Sequence, residues 1–168
     1  MKNDELLAQI ETEHGQGTDA DAAQIETMVK FLIVQIKNTK YALHAEQIKE
    51  IVMDAPLYFV PFVPPYIRGF INRHGEPYTV FDLHALFEDE ALDSNTFLIS
   101  NIQNDQIAFL ASNVIEILKV PERQVHLLTA SEDRDTFFLG AISAHGEDVF
   151  ILNLINIIHR LEHDLDNA

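Results

Sequence analysis

Apolar and polar positions along this chain change rhythm several times, and each change marks an element. From Met28, "MVKFLIVQI" is rich in β-branched and aromatic residues and too short for a capped, buried helix. It predicts a strand. "KNTK" supplies a turn and "YALHA" a returning strand, which makes a hairpin. In "EQIKEIVMD", Ile48, Ile51 and Val52 have helical spacing, while "EIVM" has strand propensity. A helical turn feeding a strand satisfies both. "APLYFVPFVPPY" then carries Pro56, Pro61, Pro64 and Pro65. Proline lacks the N–H that a sheet ladder needs, so this segment is expected to run extended along an edge or over the surface.

The next stretch, "GFINRHGEPYTVFDL" (69–83), bends a strand back on itself at "RHG". Gly75 supplies the positive φ a tight bend requires, and Gly69 inside a strand suggests a bulge or the close approach of another segment. Asp82 is placed to cap a short helix near 82–87, with Leu83, Leu86 and Phe87 packing beneath. A second cycle follows. "TFLISNI" and "QIAFLAS" read as strands joined by "QND". "NVIEILKV" puts Val114, Glu116 and Leu118 on one side, and Ile115, Ile117 and Lys119 on the other. "PERQVHLLTASEDRD" reads as a long polar connection, and "TFFLGAISAHGEDVFILNL" as a hairpin turning at "HGED". The last element is an amphipathic helix whose stripe is Leu154, Ile157, Ile158 and Leu161. Short strands spaced about ten residues apart indicate a mainly β fold. Two hairpin-rich halves suggest two small barrels side by side, sharing a hydrophobic seam because each alone is too small to be robust.

Residues 1–27 differ from the rest, with seven acids, Asp4, Glu5, Glu11, Glu13, Asp19, Asp21 and Glu26, against Lys2. Leu6, Leu7 and Ile10 could line one face of a short helix there before "HGQGTDAD" breaks it. This part reads as a flexible acidic tail, and 28–165 as the folded domain.

Charge and composition narrow the function. The net charge of −16, with only 11 scattered Lys and Arg, opposes binding to phosphate backbones or anionic lipids. Nucleic acid is therefore not an expected partner. The absence of Cys removes disulfides, thiolate metal sites and cysteine nucleophiles, and fits a cytoplasmic setting. The start is not that of a secretion signal. No run approaches the roughly 18 apolar residues of a membrane span, so no membrane insertion is expected.

No catalytic constellation stands out among the titratable residues. His159 and His163 stand four apart on the last helix and could grip a metal, but "HRLEH" lacks the general-base glutamate of HExxH. His84 and His145 read as a helix-surface residue and a hairpin tip. Glu88-Asp89-Glu90 and Glu132-Asp133 lie in polar loops, without the burial that raises a general acid's pKa. No serine sits in a GxSxG elbow. No catalytic residue, cofactor or metal site is expected. A metal-dependent enzyme built on the two C-terminal histidines is the remote alternative.

From about Val29 to Leu161 the chain resembles the CheW-like domain family of chemotaxis coupling proteins. The resemblance rests on "FLIVQIKNTKYALHAEQIKEIV" and more heavily on "VPPYIRGFINRHGEPYTVFDLHALF", where Asn72, Gly75, Asp82 and Leu83 match the family frame. "QIAFLASNVIEILKV" and "LGAISAHGEDVFILNLINII" look like the second lobe. Two positions depart from the frame. The family usually has Leu-Arg between the Asn and the Gly, where this chain has Arg73-His74, and often Asp-Gly, where this chain has Ser112-Asn113. The resemblance implies two five-stranded SH3-like β-barrels packed side by side. It implies a non-catalytic adaptor that bridges the regulatory domain of a sensory histidine kinase and the cytoplasmic tip of a chemoreceptor. It matches the family's receptor-facing Glu-Ile at Glu50 and Ile51, and puts His74 where the family has a receptor-contacting Arg. The stiff Pro-rich edge beside Arg68, Arg73 and His74 could present a preorganised surface, so partner contact is expected at these three as well. A related binding module of pilus motility or polar localisation would reuse the same fold.

Overall fold

The computed structural model describes residues 25–103, 105–129 and 136–167. Residues 1–24 of the expected acidic tail lie outside the described residues. The strands are β1 (Met28–Ile36), β2 (Thr39–His44), β3 (Ile48–Met53), β4 (Ile67–Arg73), β5 (Glu76–Phe81), β6 (Thr96–Ser100), β7 (Ile107–Ala111), β8 (Asn113–Pro121), β9 (His126–Leu127), β10 (Phe138–Ala144) and β11 (Glu147–Leu152). The helices are α1 (Leu83–Glu88) and α2 (Leu154–Asp166). One sheet has six strands in the order β8-β1-β2-β11-β10-β9, and the other has five in the order β3-β6-β7-β5-β4.

The expected pair of β-lobes is present, with one strand more than anticipated. The addition is β9, inside what reads in sequence as a polar connection; it pairs with β10 over Leu127 and His126. A two-residue strand leaves no periodic signal. The sheets are curled but open, with β8 and β9 at the edges of one and β3 and β4 at the edges of the other.

The seam is built by β1. Phe31 and Ile33 enter a small core with Ala42, Val120, Ile142, Val149 and Ile151. Leu32, Val34 and Ile36 point the other way, into the main core, with Ile71, Val80, Phe81, Leu98 and Phe109 of the five-stranded sheet. A half-buried strand alternates in and out; this one is buried on both faces, which is why its sequence is a continuous apolar run. α2 closes the main core. Asn153 caps it, accepting the Asn156 N–H at 3.2 Å. Leu154, Ile157, Ile158 and Leu161 are all at most 2% exposed, and each such burial stabilises by about 1.5–3 kcal/mol.

The Pro-rich segment runs outside β4, as its prolines predict. Its single contact of sheet type is reciprocal: the Tyr58 N–H donates to Phe70 O at 2.8 Å, and the Phe70 N–H to Tyr58 O at 2.9 Å. The two rings stack with centroids 5.2 Å apart. This approach is possible because residue 69 has no side chain. Its φ is +133°, and a Cβ there would lie 2.0 Å from Tyr58 O. Gly69 also sits at the β4–β5 register shift. We predict that Gly69→Ala lowers the unfolding free energy by about 3 kcal/mol and detaches the Pro-rich segment. Gly75→Ala, with open space around its Cβ, should cost about 1 kcal/mol. Urea unfolding of the two variants checks the difference.

Candidate protein-interaction surface

The nominated residues come from two strands that are not hydrogen-bonded to each other. Glu50 and Ile51 lie on β3, Arg68 and Arg73 on β4, and His74 at the turn after it. Along β3, Val52 points inward and Ile51 outward at 43% exposure. Glu50 shares the inward side with Val52, and Arg73 shares the inward side of β4 with Ile71. Both therefore project into the open mouth of the curled sheet, where they meet. Arg73 Nε donates to Glu50 Oε1 at 2.9 Å, and Nη2 donates to the same oxygen. The Arg73 hydrogen bond holds the Glu50 carboxyl below the usual carboxylate range, against the opposing effect of partial burial. A second tie lies alongside: Lys49 Nζ donates to the Tyr78 hydroxyl at 2.8 Å and sits 5.1 Å from the ring centre. Side chains thus bridge the mouth that no backbone ladder spans.

This geometry accounts for the cations at the bend in "RHG". Arg73 turns inward as half of the bridge. His74 stands exposed at the tip with a φ of +54°, followed by Gly75 at +82°. The Gly75 N–H donates to Asn72 Oδ1 at 3.0 Å, which fixes the turn. Adjacent cations therefore have different tasks, one closing the sheet and one facing solvent.

Arg68 is placed differently from the other four. Its Nη1 donates to Asp82 Oδ2 and to Leu92 O, both at 2.9 Å. Asp82 is fully buried. It also accepts the Ala85 N–H at 3.0 Å, as the expected cap of α1, and the Leu92 N–H at 2.8 Å. Arg68 is thereby held against the fold, locking α1 and the following loop behind β4. The sequence signalled the cap but not its cationic partner, because the pair is 14 residues apart with no shared element.

His84 is not on the helix surface: it is 9% exposed, and its Nε2 lies 3.2 Å from Glu90 Oε2. Glu90 in turn pairs with Lys37, so this loop acid ties α1 to the β1–β2 turn. His145 is at the hairpin tip, 2.5 Å from Glu116 Oε1. His159 and His163 are both exposed on α2. Among the described residues no group of three or more His, Asp or Glu side chains is arranged to hold a metal. No described helix is long and apolar enough to cross a membrane.

The sequence reading did not single out the aromatic side chains of the Pro-rich segment. Phe59 is 81% exposed and Phe62 100% exposed, the latter at a φ of +62°. With Leu57, Val60 and Val63 they line a hollow of about 380 Å³ that reaches Pro64, Ile67 and Arg68. The signal was present. Aromatics interleaved with prolines cannot join a ladder, and a segment outside the sheet must leave some of them in water. An exposed apolar patch of this kind marks an interaction surface.

The family model of the CheW-like domain matches residues 30–162. The chain belongs to that family. It is 26% identical over 117 residues to a chemotaxis protein CheW of Bacillus subtilis (strain 168), a match spanning 68% of this chain and 75% of the relative. Its fold is similar to that of a scaffolding protein, TtCheW, from Thermoanaerobacter tengcongensis. That likeness has a TM-score of 0.66 at 20% sequence identity, covering 76% of this chain and 90% of the other. Within this CheW-like domain, the bridge joins Glu50 of the Glu-Ile match to Arg73, the residue before His74.

Two predictions follow from the different settings of the arginines. Arg68→Ala leaves the buried Asp82 carboxylate without its cation and should cost about 3 kcal/mol. Arg73→Ala opens a solvent-accessible pair and should cost far less than Arg68→Ala; thermal and chemical unfolding would measure both. The second prediction concerns pH. Because its folded pKa is lowered, Glu50 contributes stability above its unfolded value of about 4.3 that is lost as pH falls through the folded value. NMR titration of the Glu50 side chain should give a midpoint below about 4.3, and Arg73→Ala should raise it.

Proposed function

We propose that this CheW-like chain is a non-catalytic adaptor of chemotaxis signalling. It works in the cytoplasm and holds the cytoplasmic tip of a chemoreceptor and the regulatory domain of a sensory histidine kinase together. Glu50, Arg73 and His74 form the receptor-facing surface at the mouth of the five-stranded sheet, Ile51 extends it from the outer side of β3, and Arg68 positions it from behind. The apron carrying Phe59 and Phe62 receives the kinase domain. Holding both partners raises the effective concentration of each for the other, which is how a protein without chemistry changes a kinase's output.

One observation supports this reading above the others. Arg73 is bonded to Glu50 across 23 residues of sequence, so the basic turn and Glu50 form one surface, with Ile51 exposed on the outer side of the same strand. That surface is presented by a strand whose other flank is fixed to the apron through Tyr58 and Phe70. Two recognition surfaces on one stiff sheet need little ordering when they bind.

The test is a binding assay with purified receptor tip and kinase regulatory domain, separately and together. The full chain should bind each and assemble a ternary complex. Arg73→Ala with His74→Ala should weaken receptor binding at least about tenfold, a loss of roughly 1.4 kcal/mol, and leave the kinase interaction intact. Phe59→Ala with Phe62→Ala should show the opposite selectivity. Capture of neither partner by the unaltered chain would refute the adaptor reading.

A further inference from the structure

Among the described residues, Lys and Arg occur at nine positions. Seven of these nine are engaged: Lys37 with Glu90, Lys40 with Glu147, Lys49 with Tyr78, Arg68 with Asp82, Arg73 with Glu50, Arg123 with Glu26 and Arg160 with Asp164. Lys30 and Lys119 are the two with no partner among the described residues. They are also directly opposite each other in the β1–β8 ladder. Like charges so placed destabilise an antiparallel pair. In a chain of net charge −16, leaving these two unneutralised calls for an explanation.

Their surroundings supply a second observation. Both lysines are exposed. Alternation puts them on the sheet face that also carries Met28, 46% exposed, and Ile117, 64% exposed, with Ile115 at 40% further along β8. Beside them is a hollow lined by Met28, Val29, Lys30, His44, Ala45 and Glu46. A basic pair set in apolar surface is complementary to an acidic segment that also carries apolar side chains.

The sequence carries such a segment immediately before β1. Residues 1–24 contain six acids, Asp4, Glu5, Glu11, Glu13, Asp19 and Asp21, against Lys2, with Leu6, Leu7 and Ile10 among the first of them. The segment joins the fold at the patch itself. β1 starts at Met28, the Glu122 N–H donates to Thr27 O at 2.9 Å, and Glu26 pairs with Arg123 just beyond β8. Fourteen residues, 14 to 27, separate Glu13 from Met28. At about 3.3 Å per extended residue, that is ample for the chain to double back over a strand. Closing a loop of this length costs little, and it keeps the local concentration in roughly the millimolar range.

We propose that the acidic stretch from Asp4 to Glu13 docks on the Lys30–Lys119 face of its own chain, as an intramolecular cover that salt displaces. The proposal is independent of which partners the adaptor holds. Carbodiimide cross-linking of the full-length chain, mapped by mass spectrometry on a mixture of light and heavy isotopic samples, tests it. At low salt, Lys30 and Lys119 should link to Asp4, Glu5, Glu11 or Glu13 within one molecule. Raising the ionic strength to about 0.5 M should reduce those links several-fold, because the Debye length shortens below about 5 Å. Neutralising the four acids together (Asp4→Asn, Glu5→Gln, Glu11→Gln, Glu13→Gln) should abolish them. The proposal is overturned if the two lysines link to Glu132, Asp133 or Asp135 instead. It is equally overturned if they link only to another molecule, or if they link to the tail no more often than Lys40 and Lys49 do.

Discussion

A single strand with two buried faces is the constraint on which the rest of this structure depends. Phe31 and Ile33 of β1 enter one core, and Leu32, Val34 and Ile36 enter the other. Without the five-stranded sheet, the Leu32, Val34 and Ile36 side of that strand would be left open to water. A lobe of some 60 residues is marginal by itself because it buries too little of its surface. Sharing one strand between two cores avoids that difficulty, and the chain returns to the seam at its end, where the α2 stripe seals the main core. The lobes therefore keep a fixed relation to each other, which the function proposed for the surface requires.

Fixing the seam also determines where the free edges fall. In the five-stranded sheet they are β3 and β4, and open edges invite unwanted pairing. Here they are managed by side chains. Arg73 reaches Glu50 and Lys49 reaches Tyr78, while the Pro-rich segment covers part of β4 with a single reciprocal pair of hydrogen bonds. Such a closure differs from a backbone ladder in one respect that matters for recognition. An exposed ion pair is worth little by itself, so a partner that offers Arg73 or Glu50 a better contact can open it at small cost. A mouth closed in this way is stable when free and still available for binding.

How much of this was legible in the sequence depended on the range of the interaction involved. Local chemistry was readable. The prolines set the path of the edge segment, Gly69 marked a close approach, Asp82 marked a helix cap, and alternation along "NVIEILKV" separated its two sides. Contacts between distant segments were not readable from periodicity. The Arg68–Asp82 clamp, the burial of His84 against Glu90, and β9 all depend on segments brought together by the tertiary fold. The surface was intermediate. Glu50, Ile51 and the position of His74 came from the family resemblance and Arg68 and Arg73 from the adjoining Pro-rich edge, yet the bond between Arg73 and Glu50 emerged only once β3 and β4 were placed at the two edges of one curled sheet.

The proposed adaptor role has a mechanical consequence. The receptor-facing mouth and the aromatic apron share β4: Arg73 is near its end, and Phe70, three residues earlier, is bonded to Tyr58 of the apron. No hinge separates the two surfaces, and Gly69 is pressed against the Tyr58 backbone, which removes the freedom a glycine otherwise has. A partner at one surface is therefore held at a set distance and angle from a partner at the other. On this reading the chain passes on a change in receptor arrangement as a rigid spacer. The physical requirement is the stiffness of one short strand, secured by a glycine that lets the apron touch it and by a seam that leaves the sheet no alternative packing.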